Sequence, residues 1–438
     1  MKSKWIIASI LIVALIVLCG ASLFAAWAGV TLAQKSGVRI NLATNTVSAQ
    51  TTETKNLSVN GPASLTVKSD FGDISVLGGP DGQVSVTAEK TAWGSSTADA
   101  QAALKDIKVN YDQSGNVIAI TVQYPVEVNT LSIDHNSGGV KFTITVPKAS
   151  AVSLASSTSD LTLSGTNGTA NLQTDFGSIN LSDVSAETFA KSNNGSLTAK
   201  NIGASGHKLT LSSEFGDITL TGATGTDVDA SSNNGSMDLS GITASGLLKV
   251  TSQFGEIHVA GSQAGSAEFR SDNGMVNLEK IDLTGALTVK GSFGDLTVAQ
   301  VMASSYDLKS ANGKIELDGA QGPIKAYSQF GEVKVLNAKN ASLDLSSTNG
   351  GVIFSGSLGA GPHSLKSEFG NISLSLPGDF KANVDMQTEL GKISSDFDIT
   401  VSGGGKPDEK HLVGKINGGG EMLNVRNNNG NITLQISK

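Results

Sequence analysis

The dipeptide Phe-Gly returns at Phe176-Gly177, Phe215-Gly216, Phe254-Gly255, Phe293-Gly294, Phe330-Gly331 and Phe369-Gly370, with glycine intervals of 39, 39, 39, 37 and 39 residues. Between them stand Asn194-Gly195, Asn234-Gly235, Asn273-Gly274, Asn312-Gly313 and Asn349-Gly350, so the underlying step is 18 to 21 residues. Each step carries short segments that alternate apolar and polar residues, the pattern of strands rather than helices. A unit this short cannot bury its own apolar face, so it must stack on its neighbours. The expected fold is all-β: a single-stack β-solenoid, similar to a parallel β-helix, with coils of about 20 residues.

Aligning the coils on the glycine exposes columns. In LKVTSQFGEIHV, strand alternation puts Leu248, Val250, Ser252 and Phe254 on one inward face, and Ile257 and Val259 point inward after the corner. Glycine suits the corner because it reaches positive φ without steric cost. Alternation of Phe with Asn at this inward position would relieve crowding between stacked rings. Two residues earlier a hydroxyl recurs at Ser192, Ser213, Ser232, Ser252, Ser271, Ser310, Ser328, Ser347 and Ser367. An inward hydroxyl must find a partner, which predicts an internal ladder from coil to coil.

The amino end has a different character. After Lys2 and Lys4 an uncharged run extends from Trp5 to Gln34, long enough to cross a bilayer as a helix of about 20 residues. This predicts a cytoplasmic tail over 1–4, a transmembrane anchor over 5–29 and a body outside the cell membrane. Cleavage near Ala26-Trp27-Ala28, which would release a secreted protein, is the alternative. Residues 30–60, rich in Thr, Asn, Ser and Gln, read as a flexible spacer. Residues 61–150 read as a small α+β cap that includes a first repeat around Phe71-Gly72 and a short helix in STADAQAALKDIKV. The repeats then run over 151–402, and 403–438 supplies a polar loop and a closing coil that ends the stack.

Composition narrows the chemistry. A net charge of −8, without a basic stripe, argues against nucleic-acid binding. The only cysteine, Cys19, lies in the apolar segment, and the five histidines lack metal-ligand spacing. No metal and no cofactor is expected. Acids follow the corner glycine at Asp73, Asp217, Glu256, Asp295 and Glu332, which invites a test of this column as a catalytic or cation site. Successive acids stand two coils, or about 9.6 Å, apart. That spacing only grazes the separation of about 5 to 9.5 Å used by glycosidases. The expected role is structural, and no catalytic residue is named. Tyr306, Tyr327 and Phe354 are candidates for stacking on sugar rings.

The units SDFGDISV, SEFGDITL and SNNGSMDL, the insertion ending in FTITVPK, and the closing VGKINGGGEMLNVRNNNGNITLQ together resemble the bacterial adhesin-like family of β-strand-repeat domains, a domain family of unknown function. The resemblance covers nearly everything after the apolar segment. It implies an adhesive or structural role in a bacterial cell envelope, a cell-surface or glycan ligand, and no catalytic residues. Two other readings remain open: a polysaccharide-binding or polysaccharide-cleaving β-helix, and an envelope-stress sensor acting through a membrane partner. Oligomeric state is not readable from the sequence.

Overall fold

A computed structural model describes residues 47–124, 138–402 and 408–437. The expected tail (1–4) and anchor (5–29) lie outside the described residues. Among the described residues no helix is long and apolar enough to cross a membrane.

The chain forms two compact units. Of the described residues, the smaller takes 47–51, 91–107, 124 and 138. Its described part includes the helix Thr97–Asp106, whose first turn is capped where the Asp99 N–H donates to Ser96 Oγ at 3.2 Å. Ser95 and Ser96 hydroxyls in turn donate to the Asp99 carboxylate, and they hold its pKa below the usual carboxylate value. This is the reciprocal hydrogen bonding of a capped helix start.

The larger unit, of the described residues 52–90, 108–123, 139–402 and 408–437, is the β-solenoid, with coils of about 20 residues. Each coil contributes one strand before the corner glycine and one after it, and each strand pairs in parallel with the same strand of the neighbouring coil. Val228–Ser232 pairs with Leu209–Ser213 on one side and with Leu248–Ser252 on the other, residue for residue. After the corner, Ile218, Met237, Ile257, Val276, Leu296, Ile315, Val333, Val352 and Ile372 form one continuous file. These residues are at most 1% exposed, so the core is a set of aliphatic columns running along the stack. Full burial of each such side chain is worth about 1.5–3 kcal/mol.

Both ends depart from sequence order. The first repeat, Ser64–Lys68 and Ile74–Gly79, pairs forward with Ala151–Ser156 and Leu161–Ser164. On its other side it pairs with Val117–Gln123 and Gly139–Pro147, so a later segment lies outside the earlier one. The carboxyl end mirrors this. The last coil, Glu421–Asn429 and Ile432–Ile436, does not terminate the stack as its position in the sequence suggests. It inserts between the coil of His363–Phe369 and Ile372–Leu376 and the coil of Ala382–Thr388 and Ile393–Ser395. The outer edge of Ala382–Thr388 is covered by the antiparallel strand His411–Ile416. An open edge would recruit another chain, and the returning strand removes it.

The expected spacer over 30–60 also needs correction. Val47–Ser58 is a strand that pairs with Gln83–Gly94. Most of its residues are exposed, so its polar composition hides the alternation that buried strands display.

Candidate functional site

The corner is built by one repeated device. Ser192 Oγ accepts the N–H of Gly195 at 2.9 Å and donates to the carbonyl of Gly177, in the preceding coil, at 2.7 Å. The same pair of bonds holds Ser213 with Gly216 and Gly195, Ser232 with Gly235 and Gly216, and Ser271 with Gly274 and Gly255. It recurs at Ser328 with Gly331 and Gly313, and at Ser347 with Gly350 and Gly331. Ser252 and Ser310 accept from Gly255 and Gly313, and Ser367 donates to Gly350. Where both bonds are made, at Ser192, Ser213, Ser232, Ser271, Ser328 and Ser347, the buried hydroxyl ties its turn to the neighbouring coil.

Glycine is required at this corner for a reason other than the one expected. The corner residues Gly177, Gly195, Gly216, Gly235, Gly255, Gly294, Gly331 and Gly370 do not sit at positive φ; a Cβ on any of them would collide with the backbone carbonyl of the corner residue in the neighbouring coil. The left-handed residues form a second column, six positions after the corner glycine: Asp183, Asn201, Gly222, Gly241, Gly261, Lys280, Gln300, Gly319 and Asn337. That column was missed in the sequence. Its signal is a recurrent Gly, Asn or Asp, interrupted by Lys280 and Gln300.

The phenylalanines require the larger correction. Phe176, Phe215, Phe254, Phe293, Phe330 and Phe369 do not point inward; they are between 53% and 65% exposed. Before Phe215, Phe254 and Phe330 the strand ends at a serine, whose hydroxyl accepts the N–H of the glycine three residues on and folds the chain into a turn. Strand alternation stops there, so the residue two after the serine tips outward. At the half-step, Asn194, Asn234, Asn273, Asn312 and Asn349 are also exposed, and each donates Nδ2 to a backbone carbonyl of the preceding coil at 3.0–3.2 Å.

The inserted carboxyl-terminal coil continues this alternation in space. Large and small residues follow one another as Phe369, Asn429 and Leu390, because the coil of Asn429 separates two coils that are consecutive in sequence. Leu390 is 72% exposed. The result is an edge along the stack where an apolar group stands out on every second coil.

The acids after the corner glycine are partly explained by the backbone. Asp217 Oδ1 accepts the N–H of Ser236, and Asp295 Oδ1 accepts the N–H of Lys314, both at 2.8 Å. Asp160 does the same for Ser178 at 2.7 Å. Each thus satisfies a donor of the next coil. Among the described residues no group of three or more His, Cys, Asp or Glu is arranged to hold a metal. Of the proposed sugar-stacking aromatics, Tyr306 and Phe354 are buried, and the Tyr306 hydroxyl donates to the Val301 carbonyl at 2.7 Å. Both lie at inward strand positions, which accounts for the misreading. Tyr327 alone is partly exposed.

A cleft of about 610 Å³ lies on the face formed by the strands before the corner. It is lined by Lys249, Glu268, Arg270, Lys290 and Asp307 among others. Arg270 pairs with Asp272 at 3.0 Å, and Lys309 pairs with Asp307 at 2.9 Å.

No curated protein matches the chain. Three crystal structures resemble it: a candidate cell-adhesion protein from Clostridium sporogenes, 11% identical over 89% of this chain and 100% of that one, with a TM-score of 0.16; a candidate adhesin from Bacteroides fragilis, 14% identical over 65% and 96%, with a TM-score of 0.22; and a candidate adhesin from Parabacteroides distasonis, 13% identical over 74% and 93%, with a TM-score of 0.23. The model of the Toastrack DUF4097 domain matches twice, over residues 36–272 and 204–435, so that nearly all of the described solenoid is included. The protein belongs to the Toastrack DUF4097 family.

Proposed function

We propose that the protein is a non-enzymatic, membrane-anchored adhesin or structural element of a bacterial envelope, with its solenoid outside the cell membrane. The observation that carries this reading is the exposed phenylalanine edge. The solenoid fills its core with aliphatic columns and a few buried rings such as Phe269 and Phe354, yet it also holds six half-exposed rings at regular intervals. Extended exposed apolar surface on a folded protein is a mark of an interaction site. The apolar run from Trp5 to Gln34 behind Lys2 and Lys4 supports attachment to a membrane.

The test is fractionation together with surface attachment. The full chain should stay with membranes after a high-salt wash, be cleaved by protease added outside the cell, and raise attachment of cells to a surface severalfold over a deletion strain. A soluble cytoplasmic protein, or attachment unchanged by deletion, would end this reading.

The cleft lined by Glu268, Asp307, Arg270 and Lys290 favours a second reading, a site that binds or cleaves a polysaccharide. Glu268 and Asp307 lie two coils apart in one outward column. That is about 9.6 Å by strand spacing, at the upper limit for an inverting pair of carboxylates. Turnover of a uronic-acid polymer that disappears in Glu268→Gln would establish it; absence of turnover across neutral and acidic polymers would remove it.

A further inference from the structure

We propose that the phenylalanine edge binds an extended, amine-bearing polysaccharide with a two-sugar repeat, such as a partly de-N-acetylated β-1,4-linked hexosamine polymer. This rests on the adhesive reading above and names its ligand class.

Four successive alternate coils carry the same pair of groups. An exposed ring is followed two residues later by a carboxylate: Phe215 and Asp217, Phe254 and Glu256, Phe293 and Asp295, Phe330 and Glu332. The intervening coils place Ser236, Met275 and Lys314 where the acid would be. Ring and acid therefore recur together every two coils, at about 9.6 Å. Among the described residues none of the four acids forms an ion pair, and the hydrogen bonds of Asp217 and Asp295 engage one oxygen each. The other oxygen remains available to a cation. A complementary ligand must present an apolar face and a positive charge at the same interval.

A β-1,4-linked hexosamine chain meets that requirement. Each sugar is turned over relative to the last, so only every second ring offers the same face and the same amine to one side. The repeat of two sugars in such an extended chain is close to the two-coil spacing. A sugar's C–H face packs on an aromatic ring, and a protonated amine attracts both the ring and the carboxylate. At the half-step, each exposed Asn uses its Nδ2 on the backbone and keeps Oδ1 as an acceptor for the intermediate sugar's hydroxyl groups.

Other occupants fit less well. A second copy of this chain would bring carboxylates against carboxylates over the coils that carry Asp217, Glu256, Asp295 and Glu332. A polyproline-type peptide has a similar repeat, about 9.3 Å for three residues. Such peptides are held in aromatic-lined grooves, however, whereas these rings stand on an outer corner.

The experiment is sedimentation of the full chain, in detergent, with particles of de-N-acetylated hexosamine polymer, its fully N-acetylated form, and cellulose. Binding should favour the amine-bearing polymer by at least tenfold and weaken with salt and with deprotonation of the amine. The combined variant Phe215→Asn, Phe254→Asn and Phe293→Asn should lose at least tenfold. These substitutions copy the neighbouring coils, so the fold should survive, as a thermal melt would verify. The variant Asp217→Asn, Glu256→Gln, Asp295→Asn and Glu332→Gln should reduce binding to the level of the N-acetylated polymer. Equal binding to all three polymers, binding to none, indifference to the ring substitutions, or displacement by a basic proline-rich peptide in preference to hexosamine oligomers would each overturn the proposal. Cells carrying the ring variant separate the two readings. If they still attach to surfaces, the adhesive role stands and this ligand fails. If neither wild type nor variant promotes attachment, the adhesive role itself fails.

Discussion

Gly216 stacks on Gly195 so closely that a Cβ on the former would overlap the carbonyl oxygen of the latter. The same approach repeats from coil to coil, for example between Gly235 and Gly216 and between Gly255 and Gly235. The coil spacing is set by the strand hydrogen bonds on both sides of the corner, so the backbone has little freedom to move apart. Gly216→Ala should therefore destabilise the solenoid by about 2–3 kcal/mol, the upper range for overpacking. Ala at Gly206, where a Cβ meets no other atom but φ is positive, should cost less. Urea unfolding of the two variants checks the order.

Ser232 is 3% exposed and serves both the Gly235 N–H and the Gly216 carbonyl. Ser232→Ala leaves a donor and an acceptor in the interior without this partner. The expected cost is about 1–3 kcal/mol. The same substitution at the outward Ser231 should cost much less. The difference between the two midpoints is the measurement.

These corners also show what a sequence can display. The period was legible because most coils repeat one contact, Gly against Gly and a Ser or Thr hydroxyl against backbone, broken at few positions such as Ser159 and Gly291. The direction of Phe254 was not, since the turn that ends strand alternation is made by Ser252 and its bond to Gly255. Nothing in the alternating pattern announces that bond. The order of the end coils was equally hidden: Asn429 belongs between Phe369 and Leu390 only because strands far apart in sequence pair with each other. The ring-and-acid edge emerges once the rings are known to face solvent.

Lys280 and Gln300 hold left-handed backbone, at φ 53° and 55°, in a column otherwise filled by Gly, Asn and Asp. For residues with a Cβ this region costs about 1–2 kcal/mol. Lys280→Gly and Gln300→Gly should each stabilise the protein by up to about 1 kcal/mol, after the greater freedom of glycine in the unfolded chain is set against the relief. The ion pair of Lys280 with Glu279 is exposed and contributes little to the balance. Lys280→Ala, which removes the charge and keeps the Cβ, should give no such gain.

The inserted coil predicts an unusual response to truncation. Deleting residues 403–438 removes Glu421–Asn429, the parallel partner of both His363–Phe369 and Ala382–Thr388. Amide protection should vanish over Ala382–Thr388 and fall in His363–Phe369, while Val228–Ser232, paired on both sides far from the cut, keeps its protection. Loss of protection confined to the last few residues before the cut would contradict the insertion.

His363 lies beside that same junction, with its strand paired to the inserted coil from Leu423 onward. The imidazole is 1% exposed, and neither ring nitrogen has a partner at hydrogen-bonding geometry. Burial pushes its pKa below the ordinary value of 6.5, against smaller opposing contributions from the Gly359 backbone and the Glu421 carboxylate. The unfolded chain then binds a proton more readily than the folded one as pH falls through 6.5. Stability contributed by the neutral ring is complete above that pH and is lost progressively below it, until the lowered folded pKa is reached. His363→Leu keeps an apolar side chain in the site and removes the titration. The variant should lose less stability than wild type between pH 7.5 and pH 5, measured by urea unfolding at both values. An identical loss in both proteins would place the acid sensitivity elsewhere.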